Sequence, residues 1–90
     1  MALVTMYTTR WCPYCVAARA LLERLGVDYE DINVGSDRAL RAEMETRAGR
    51  YTVPQIWIGS RHIGGFDDMN ELHPQGLLEP LLEEMARGGD

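Results

Sequence analysis

The two cysteines, Cys12 and Cys15, constrain the fold of this chain more than any other feature. Pro13 and Tyr14 separate them, so the motif is Cys-Pro-Tyr-Cys. An apolar run over residues 2–7 leads into the motif, and a helical pattern leads out of it. A buried strand, a tight loop, Cys-x-x-Cys and a helix form the layout of a thiol–disulfide site. The sequence therefore predicts a dithiol at the junction of a strand and a helix.

The spacing predicts different roles for the two sulfur atoms. Cys12 is the expected N-cap, with Pro13 as first helical residue, because the missing proline N–H would be unpaired there anyway. The free N–H groups of the first turn and the helix dipole favour a thiolate at Cys12. Cys15 lies one turn further in, on the same side. We predict that Cys12 attacks and that Cys15 resolves the mixed disulfide.

Other uses of the motif fit the sequence less well. A structural disulfide would close a very short loop and would constrain little of the unfolded chain. A zinc site needs about four ligands, whereas this chain has two cysteines and the well-separated His62 and His73. An iron–sulfur cluster needs about four thiolates and would have to be shared between two chains. We therefore predict a redox-active dithiol and no metal ligand, with the shared cluster left open as an alternative.

Size and charge narrow the function classes. The 90 residues predict one domain, residues 1–90. The net charge of −5 argues against nucleic acid and anionic membranes as partners. No apolar run approaches the roughly 18 residues of a membrane span, and the N-terminus lacks the pattern of a signal peptide. We expect a cytoplasmic monomer, since glutathione keeps cytosolic thiols reduced and a Cys-x-x-Cys there is more often catalytic.

The first half of the chain predicts a β-α-β unit. A strand at residues 2–7 precedes the first helix, over residues 13–25. A half-exposed strand over residues 27–34, near a sheet edge, follows it. Ser36 is the expected N-cap of the second helix, which Gly49 ends. The buried face of the first helix is expected to comprise Val16, Ala17, Ala20, Leu21 and Leu25.

The second half predicts two antiparallel strands and a closing helix. Residues 55–58 form a strand that begins after Pro54, because proline cannot donate to a ladder. From background frequencies, the Val53–Pro54 bond is expected to be trans. A Gly59-Ser60 hairpin leads to a short strand, Asp67 caps a short helical turn, and a leucine-rich helix ends the fold. The order β-α-β-α-β-β-α predicts an α/β fold with a four-stranded mixed sheet flanked by helices.

Three segments, in this order and spacing, carry a resemblance to a known family: Cys12-Pro13-Tyr14-Cys15, Thr52-Val53-Pro54 and Gly64-Gly65-Phe66-Asp67-Asp68. Together they closely resemble the glutaredoxins, specifically the short bacterial dithiol kind called the glutaredoxin 3 type. The resemblance spans nearly the whole chain. It implies a thioredoxin fold, a cis Pro54 beside the cysteines, and reduction of disulfides with glutathione as co-substrate and no permanently bound cofactor.

The resemblance also implies a glutathione groove beside the nucleophile. In it the Val53 backbone pairs with the cysteine moiety, Tyr14 forms a wall, and Asp67 at a helix start holds the γ-glutamyl end. Arg41 takes the position of a residue for the glycine carboxylate, and Arg10 replaces a usual lysine, a change that keeps the charge but spreads it. The implied glutathione-binding residues are Arg10, Tyr14, Arg41, Thr52, Val53, Pro54, Gly65, Phe66 and Asp67.

Two alternatives share much of this pattern. A redoxin reduced by thioredoxin reductase would have the same fold and Cys-x-x-Cys, but is not expected to need Asp67 and Arg41. A glutathione-ligated iron–sulfur carrier would join two chains, although Pro13 stiffens the loop and argues against it. The expected partners are glutathione and disulfide-containing or glutathionylated proteins, and the sequence does not specify which proteins.

Overall fold

The computed structural model describes residues 3–72, 76 and 78–86, with the side chains of residues 79 and 84–86 excepted. A mixed sheet has the strand order β2-β1-β3-β4. β1 pairs parallel with β2 and antiparallel with β3, and β3 pairs antiparallel with β4. The predicted four-stranded sheet flanked by helices is confirmed. The elements in the described part are β1 (Val4–Thr8), α1 (Pro13–Arg24), β2 (Tyr29–Asn33), α2 (Arg38–Ala48), β3 (Gln55–Ile58), β4 (Arg61–Gly64), α3 (Phe66–Leu72) and α4 (Leu78–Ala86).

The sheet separates two apolar clusters, because successive side chains of a strand point to opposite faces. Met6 and Ile56, paired across β1 and β3, belong to the larger cluster, which includes residues of α1, α3 and α4. Tyr7 and Trp57 belong to the smaller cluster, which includes Met44 of α2. β1 is central in the strand order, and its end at Thr8 is the point from which the chain enters the Cys-x-x-Cys.

The predicted buried face of α1 is wrong, because the helix is rotated about its axis relative to the prediction. The buried residues of this helix are Cys15, Ala18, Leu21 and Leu22, so only Leu21 of the predicted set is buried. Val16 is 56% exposed, Ala20 is exposed, and Ala17 and Leu25 are half-buried. Alanines at 17, 18 and 20 fit almost any helix face, so apolar spacing left the rotation of α1 undetermined. Packing of the adjacent Leu21 and Leu22 turned Cys15 inward.

Two predicted helix caps are also displaced by one or more residues. Asp37, not Ser36, caps α2, and its carboxylate accepts a hydrogen bond from the Leu40 amide at 3.0 Å. α3 already begins at Phe66, so Asp67 lies in its first turn and is not the cap. Gly49 ends α2 in the left-handed conformation with φ 68°, as predicted. Side chains that can reach a free amide compete at each helix start, and the sequence does not rank them.

The remaining differences lie at element ends and at one peptide bond. β2 is shorter than the predicted strand, and its place at the sheet edge is confirmed. The Val53–Pro54 bond is cis, so the background expectation of a trans bond is wrong and the resemblance was right. The predicted start of the first strand, at residue 2, lies outside the described residues, and so does residue 77, where the leucine-rich helix is expected to begin. No helix in residues 3–72 and 78–86 is long and apolar enough to cross a membrane.

Candidate active site

Cys12 occupies the N-cap of α1, as the sequence predicts. Its backbone is extended, with φ −91° and ψ 114°, and Pro13 follows at the first helical position. The Cys15 amide donates a hydrogen bond to Cys12 Sγ at 3.3 Å. The Cys12 thiol in turn donates to the Val53 carbonyl at 3.6 Å. The partly exposed sulfur of Cys12 therefore lies against the first turn of the helix and accepts from one of its amides.

Cys15 has the opposite environment. It is fully buried, and both cysteines are free thiols. Burial, and then the hydrogen bond with Cys12, raise the pKa of Cys15 to about 12, against smaller opposing effects of the Thr9 backbone and Arg19. Cys15 is thus held as a protonated thiol beneath the partly exposed Cys12, which matches the predicted difference between an attacking and a resolving sulfur.

A cleft of about 300 Å³ lies against the same helix start, and we call it the groove. Val53, whose carbonyl accepts from the Cys12 thiol, is part of its lining. The groove brings together seven of the nine residues that the resemblance implies for glutathione. Its lining residues are Tyr14, Arg50, Thr52, Val53, Pro54, Gly65, Phe66, Asp67 and Asp68.

Backbone conformation shapes the groove more than long side chains do. The Val53–Pro54 bond is cis, and both residues line the groove directly before β3. Gly64 has φ 118°, a backbone conformation that residues other than glycine rarely adopt. A Cβ on Gly64 would overlap the Asp68 carboxylate, whereas a Cβ on Gly65 would make only an ordinary contact with the Pro54 carbonyl, at 3.5 Å. The glycine at position 64 therefore leaves room for the Asp68 carboxylate beside the groove.

Arg10 and Arg41 lie elsewhere, in a second cleft of about 580 Å³ that we call the arginine cleft. The Arg41 guanidinium donates to the Tyr51 carbonyl at 2.6 Å and pairs with Glu45 at 3.5 Å. The Arg10 guanidinium carbon lies 5.2 Å from the centre of the Trp11 ring. The two predicted arginines therefore share one cleft but are not in the groove. The lining of the arginine cleft is Thr9, Arg10, Trp11, Asn33, Gly35, Ser36 and Arg41.

Arg50 and Asp68 line the groove but were not among the predicted site residues. Arg50 pairs with Asp68 at 3.1 Å, and the Asp68 carboxylate accepts from the Gly65 amide at 2.8 Å. These contacts, the Gly65 amide first and then Arg50, lower the pKa of Asp68. Asp68 belongs to the Gly-Gly-Phe-Asp-Asp segment and could have been found there. Nothing local marks Arg50, which reaches the groove only through the tertiary fold.

The surroundings of Cys12 are open to a large partner. Trp11 is 83% exposed and Tyr14 is 58% exposed, and they flank Cys12 and Pro13 in the chain. Among the described residues, no group of three or more His, Cys, Asp or Glu side chains is placed to hold a metal ion. The arrangement can thus present the Cys12 sulfur to a disulfide at the surface, with the Cys15 sulfur buried beneath it.

Comparisons with known proteins agree with this geometry. The family model for glutaredoxin matches residues 4–63. A glutaredoxin from Pseudomonas aeruginosa is 52% identical over 79 residues, which cover 88% of this chain and 94% of that protein. Glutaredoxin 3 from Escherichia coli is 48% identical over 83 residues, which cover 92% of this chain and all of that protein.

Solved structures extend the likeness to the fold. The crystal structure of a buckwheat glutaredoxin–glutathione complex superposes with a TM-score of 0.85 at 32% identity, covering 92% of this chain and 78% of that one. The thioredoxin fold, the Cys-x-x-Cys at a helix start and the sequence matches all lead to one assignment. The chain belongs to the glutaredoxin family, the glutathione-dependent thiol–disulfide oxidoreductases.

Proposed function

We propose that this chain is a dithiol glutaredoxin that reduces protein disulfides and glutathione mixed disulfides, with glutathione as the reductant. The observation that carries the proposal is the placement of Cys12 at the start of α1, with its thiol against the Val53 carbonyl at the edge of the groove. This placement supports attack by Cys12 on a disulfide sulfur while a glutathione moiety lies in the groove.

The charges of the two clefts suit the charges of glutathione. The tripeptide carries two carboxylates and one ammonium group. Asp67 offers a carboxylate to the ammonium, and the first turn of α3 offers amides to the neighbouring carboxylate. Arg41, in the arginine cleft, is the proposed partner of the glycine carboxylate. The Val53 backbone would hold the cysteine moiety of glutathione next to Cys12.

With a glutathionylated substrate, one cysteine suffices. The Cys12 thiolate attacks the glutathione sulfur, a Cys12–glutathione disulfide forms, and the substrate leaves as a thiolate that takes a proton from water. A second glutathione thiolate then attacks the glutathione sulfur of that mixed disulfide. Glutathione disulfide leaves and the Cys12 thiolate is restored. The incoming glutathione sulfur is oxidised as the substrate sulfur is reduced, and the transferred glutathione sulfur stays in a disulfide throughout.

With a protein disulfide, both cysteines take part. Cys12 attacks one sulfur of the substrate, and the other sulfur leaves as a thiolate. Cys15 then attacks Cys12, the bond from Cys12 to the substrate breaks, and a Cys12–Cys15 disulfide remains. Two glutathiones reduce that disulfide and leave as glutathione disulfide.

We also propose that residues 1–90 act as one glutaredoxin domain, as a monomer in the cytoplasm. Relatives of which this chain covers 94% and 100% support the single domain. Two free thiols that must be reduced repeatedly by glutathione support a reducing compartment. Sedimentation of the reduced protein, at several concentrations, tests the monomer.

The test is turnover of a small glutathione mixed disulfide with glutathione and coupled glutathione reductase, run in parallel with thioredoxin reductase. Turnover with glutathione supports the proposal. Turnover with thioredoxin reductase alone would overturn it in favour of the other redoxin class. A purified protein that is coloured and carries iron and sulfide would favour the cluster carrier.

The division of labour between the cysteines has its own test. Cys15→Ser should retain turnover of the glutathione mixed disulfide, because that path needs only Cys12. It should lose reduction of a protein disulfide, such as that of insulin, by more than about a hundredfold, because nothing resolves the intermediate. Loss of both activities in a variant that still folds would contradict the proposed roles.

A further inference from the structure

A three-residue network beside Cys15 takes no part in the groove. It joins Arg19 of α1, Asp31 of the edge strand β2 and Thr8 at the end of β1. Arg19 Nε pairs with Asp31 Oδ2 at 2.6 Å, and Arg19 Nη2 donates to Thr8 Oγ1 at 3.1 Å. The Thr8 hydroxyl donates to Asp31 Oδ1 at 2.5 Å. All three side chains are therefore held by two contacts each.

The network is more sheltered than an ordinary surface ion pair. Thr8 is fully buried, and the side chains of Arg19 and Asp31 are 24% and 30% exposed. Exposed pairs contribute little because water screens them and both side chains are mobile. Here a buried hydroxyl fixes both charged groups, so the guanidinium has a defined position.

That position is close to Cys15. Arg19 follows Cys15 by four residues in α1, so the two side chains lie on the same face of the helix. Thr8 directly precedes Thr9, whose backbone hydrogen-bonds to the Cys15 sulfur. The network thus reaches Cys15 by two routes, through the charge of Arg19 and through the Thr8–Thr9 backbone.

Cys15 needs such help because its site opposes ionisation. Burial and the Cys12 hydrogen bond raise the pKa of Cys15, whereas the Thr9 backbone and Arg19 lower it. Among the described residues, the titratable groups that act on Cys15 are Cys12 at the N-cap and Arg19 of its own helix, and Asp31 acts on Arg19 from β2. A thiolate is the attacking species in disulfide exchange. The two contacts that lower the pKa of Cys15 therefore matter at the step in which Cys15 attacks.

We propose that Arg19, oriented by Asp31 and Thr8, is a positioning residue for the second sulfur: it favours the Cys15 thiolate and speeds its attack on the mixed disulfide at Cys12. The inference rests on the proposed dithiol function and deepens it. In this step Cys15 gives its proton to water and attacks Cys12 Sγ. The Cys12–Cys15 bond forms, the bond from Cys12 to the substrate breaks, and the substrate sulfur leaves with the electron pair.

Ellman's reagent tests this step, because one stopped-flow trace reads both sulfurs. The first thionitrobenzoate is released when Cys12 attacks the reagent. The second is released when Cys15 attacks the mixed disulfide at Cys12. Wild type should release two equivalents and Cys15→Ser one, which identifies the second phase. A wild type that releases a single equivalent, or that shows no turnover with glutathione, would instead refute the proposed function.

Arg19→Gln should slow the second phase by about threefold and leave the first phase unchanged. Even a tenfold loss of thiolate is partly offset by higher nucleophilicity, since the Brønsted coefficient is about 0.4–0.5. The logarithm of the second rate should rise with pH in both proteins, and the rate of the variant should level off at a higher pH. A structural role alone would lower the rate without moving the pH at which it levels off.

Matched variants complete the test. Arg19→Lys keeps the charge and should restore most of the rate. Arg24→Gln removes the same charge from the exposed last turn of α1 and should leave both phases unchanged. Thr8→Val keeps the buried shape but removes the shared hydroxyl, and should slow the second phase alone. Equal slowing of both phases, or no slowing in either Arg19→Gln or Thr8→Val, would overturn the proposal.

Discussion

The groove and the arginine cleft are built in different ways. The groove is framed by backbone features: the left-handed Gly64, which leaves room for the Asp68 carboxylate, and the Val53 carbonyl, which accepts from the Cys12 thiol. The arginine cleft instead has two long cationic side chains in its lining, and Arg41 is already engaged with Tyr51 and Glu45. Backbone walls cannot relax when one side chain is removed, whereas long side chains exchange partners easily. We therefore expect the groove to dominate glutathione binding.

The largest expected effect is in the groove. Asp67→Ala should raise the KM for glutathione by about tenfold. A charge-assisted hydrogen bond contributes roughly 1.5–3 kcal/mol, and the contribution of Asp67 should lie at the low end of that range because this residue is exposed. Steady-state turnover of a glutathione mixed disulfide measures this. Glu71→Ala removes an exposed carboxylate from the same helix and is the control. Equal effects of the two variants would mean that only net charge matters.

A smaller effect is expected in the arginine cleft. Arg41→Gln should raise the KM for glutathione by about threefold, because exposed ion pairs contribute no more than about 1 kcal/mol. Arg38→Gln, at the start of the same helix, is the matched control for charge. The same coupled assay applies. If Arg41→Gln weakened binding as much as Asp67→Ala, the distinction between a dominant groove and a minor cleft would fail.

The smallest effect concerns the groove wall itself. The folded pKa of Asp68 is lowered, so its contacts stabilise the fold above the unfolded pKa, near 3.8, and that stability is lost as pH falls through the folded value. The side chain is 42% exposed, so Asp68→Asn should lower the unfolding free energy at neutral pH by less than about 1 kcal/mol. Urea unfolding at about pH 7 and about pH 2 measures the difference.

The difference between the two proteins should shrink towards the acidic end, because Asp68 takes up a proton first in the unfolded and then in the folded state as pH falls. Glu71→Gln is the control and should follow the wild type at both pH values. A loss in Asp68→Asn that persists in acid would show that its contact with the Gly65 amide stabilises the groove without needing the charge.

Local signals in the sequence predicted the parts of the site that local chemistry determines. The N-cap role of Cys12 follows from Pro13 and from the helix pattern behind it. The end of α2 at Gly49 and the hairpin at residues 59–60 follow from turn chemistry in the same way. The groove residues came from a resemblance, and seven of the nine lie together.

What failed were choices among nearly equal local alternatives. The rotation of α1 was undetermined because alanines at 17, 18 and 20 fit several faces, and core packing selected the one that buries Cys15. Ser36 and Asp37 could both cap α2, and the Asp37 carboxylate reaches the Leu40 amide. Background frequencies favoured a trans Pro54, and the surrounding structure overrode them.

The sequence by itself determined the chemistry, because a Cys-x-x-Cys at a helix start sets apart two thiols wherever it occurs. Only the tertiary structure decided which residues lie around those thiols. It brought Arg50 to the groove from 18 residues before its partner Asp68. It also joined Arg19, Asp31 and Thr8 beside Cys15. Contacts between residues distant in the chain depend on packing and strand register, which no local pattern encodes.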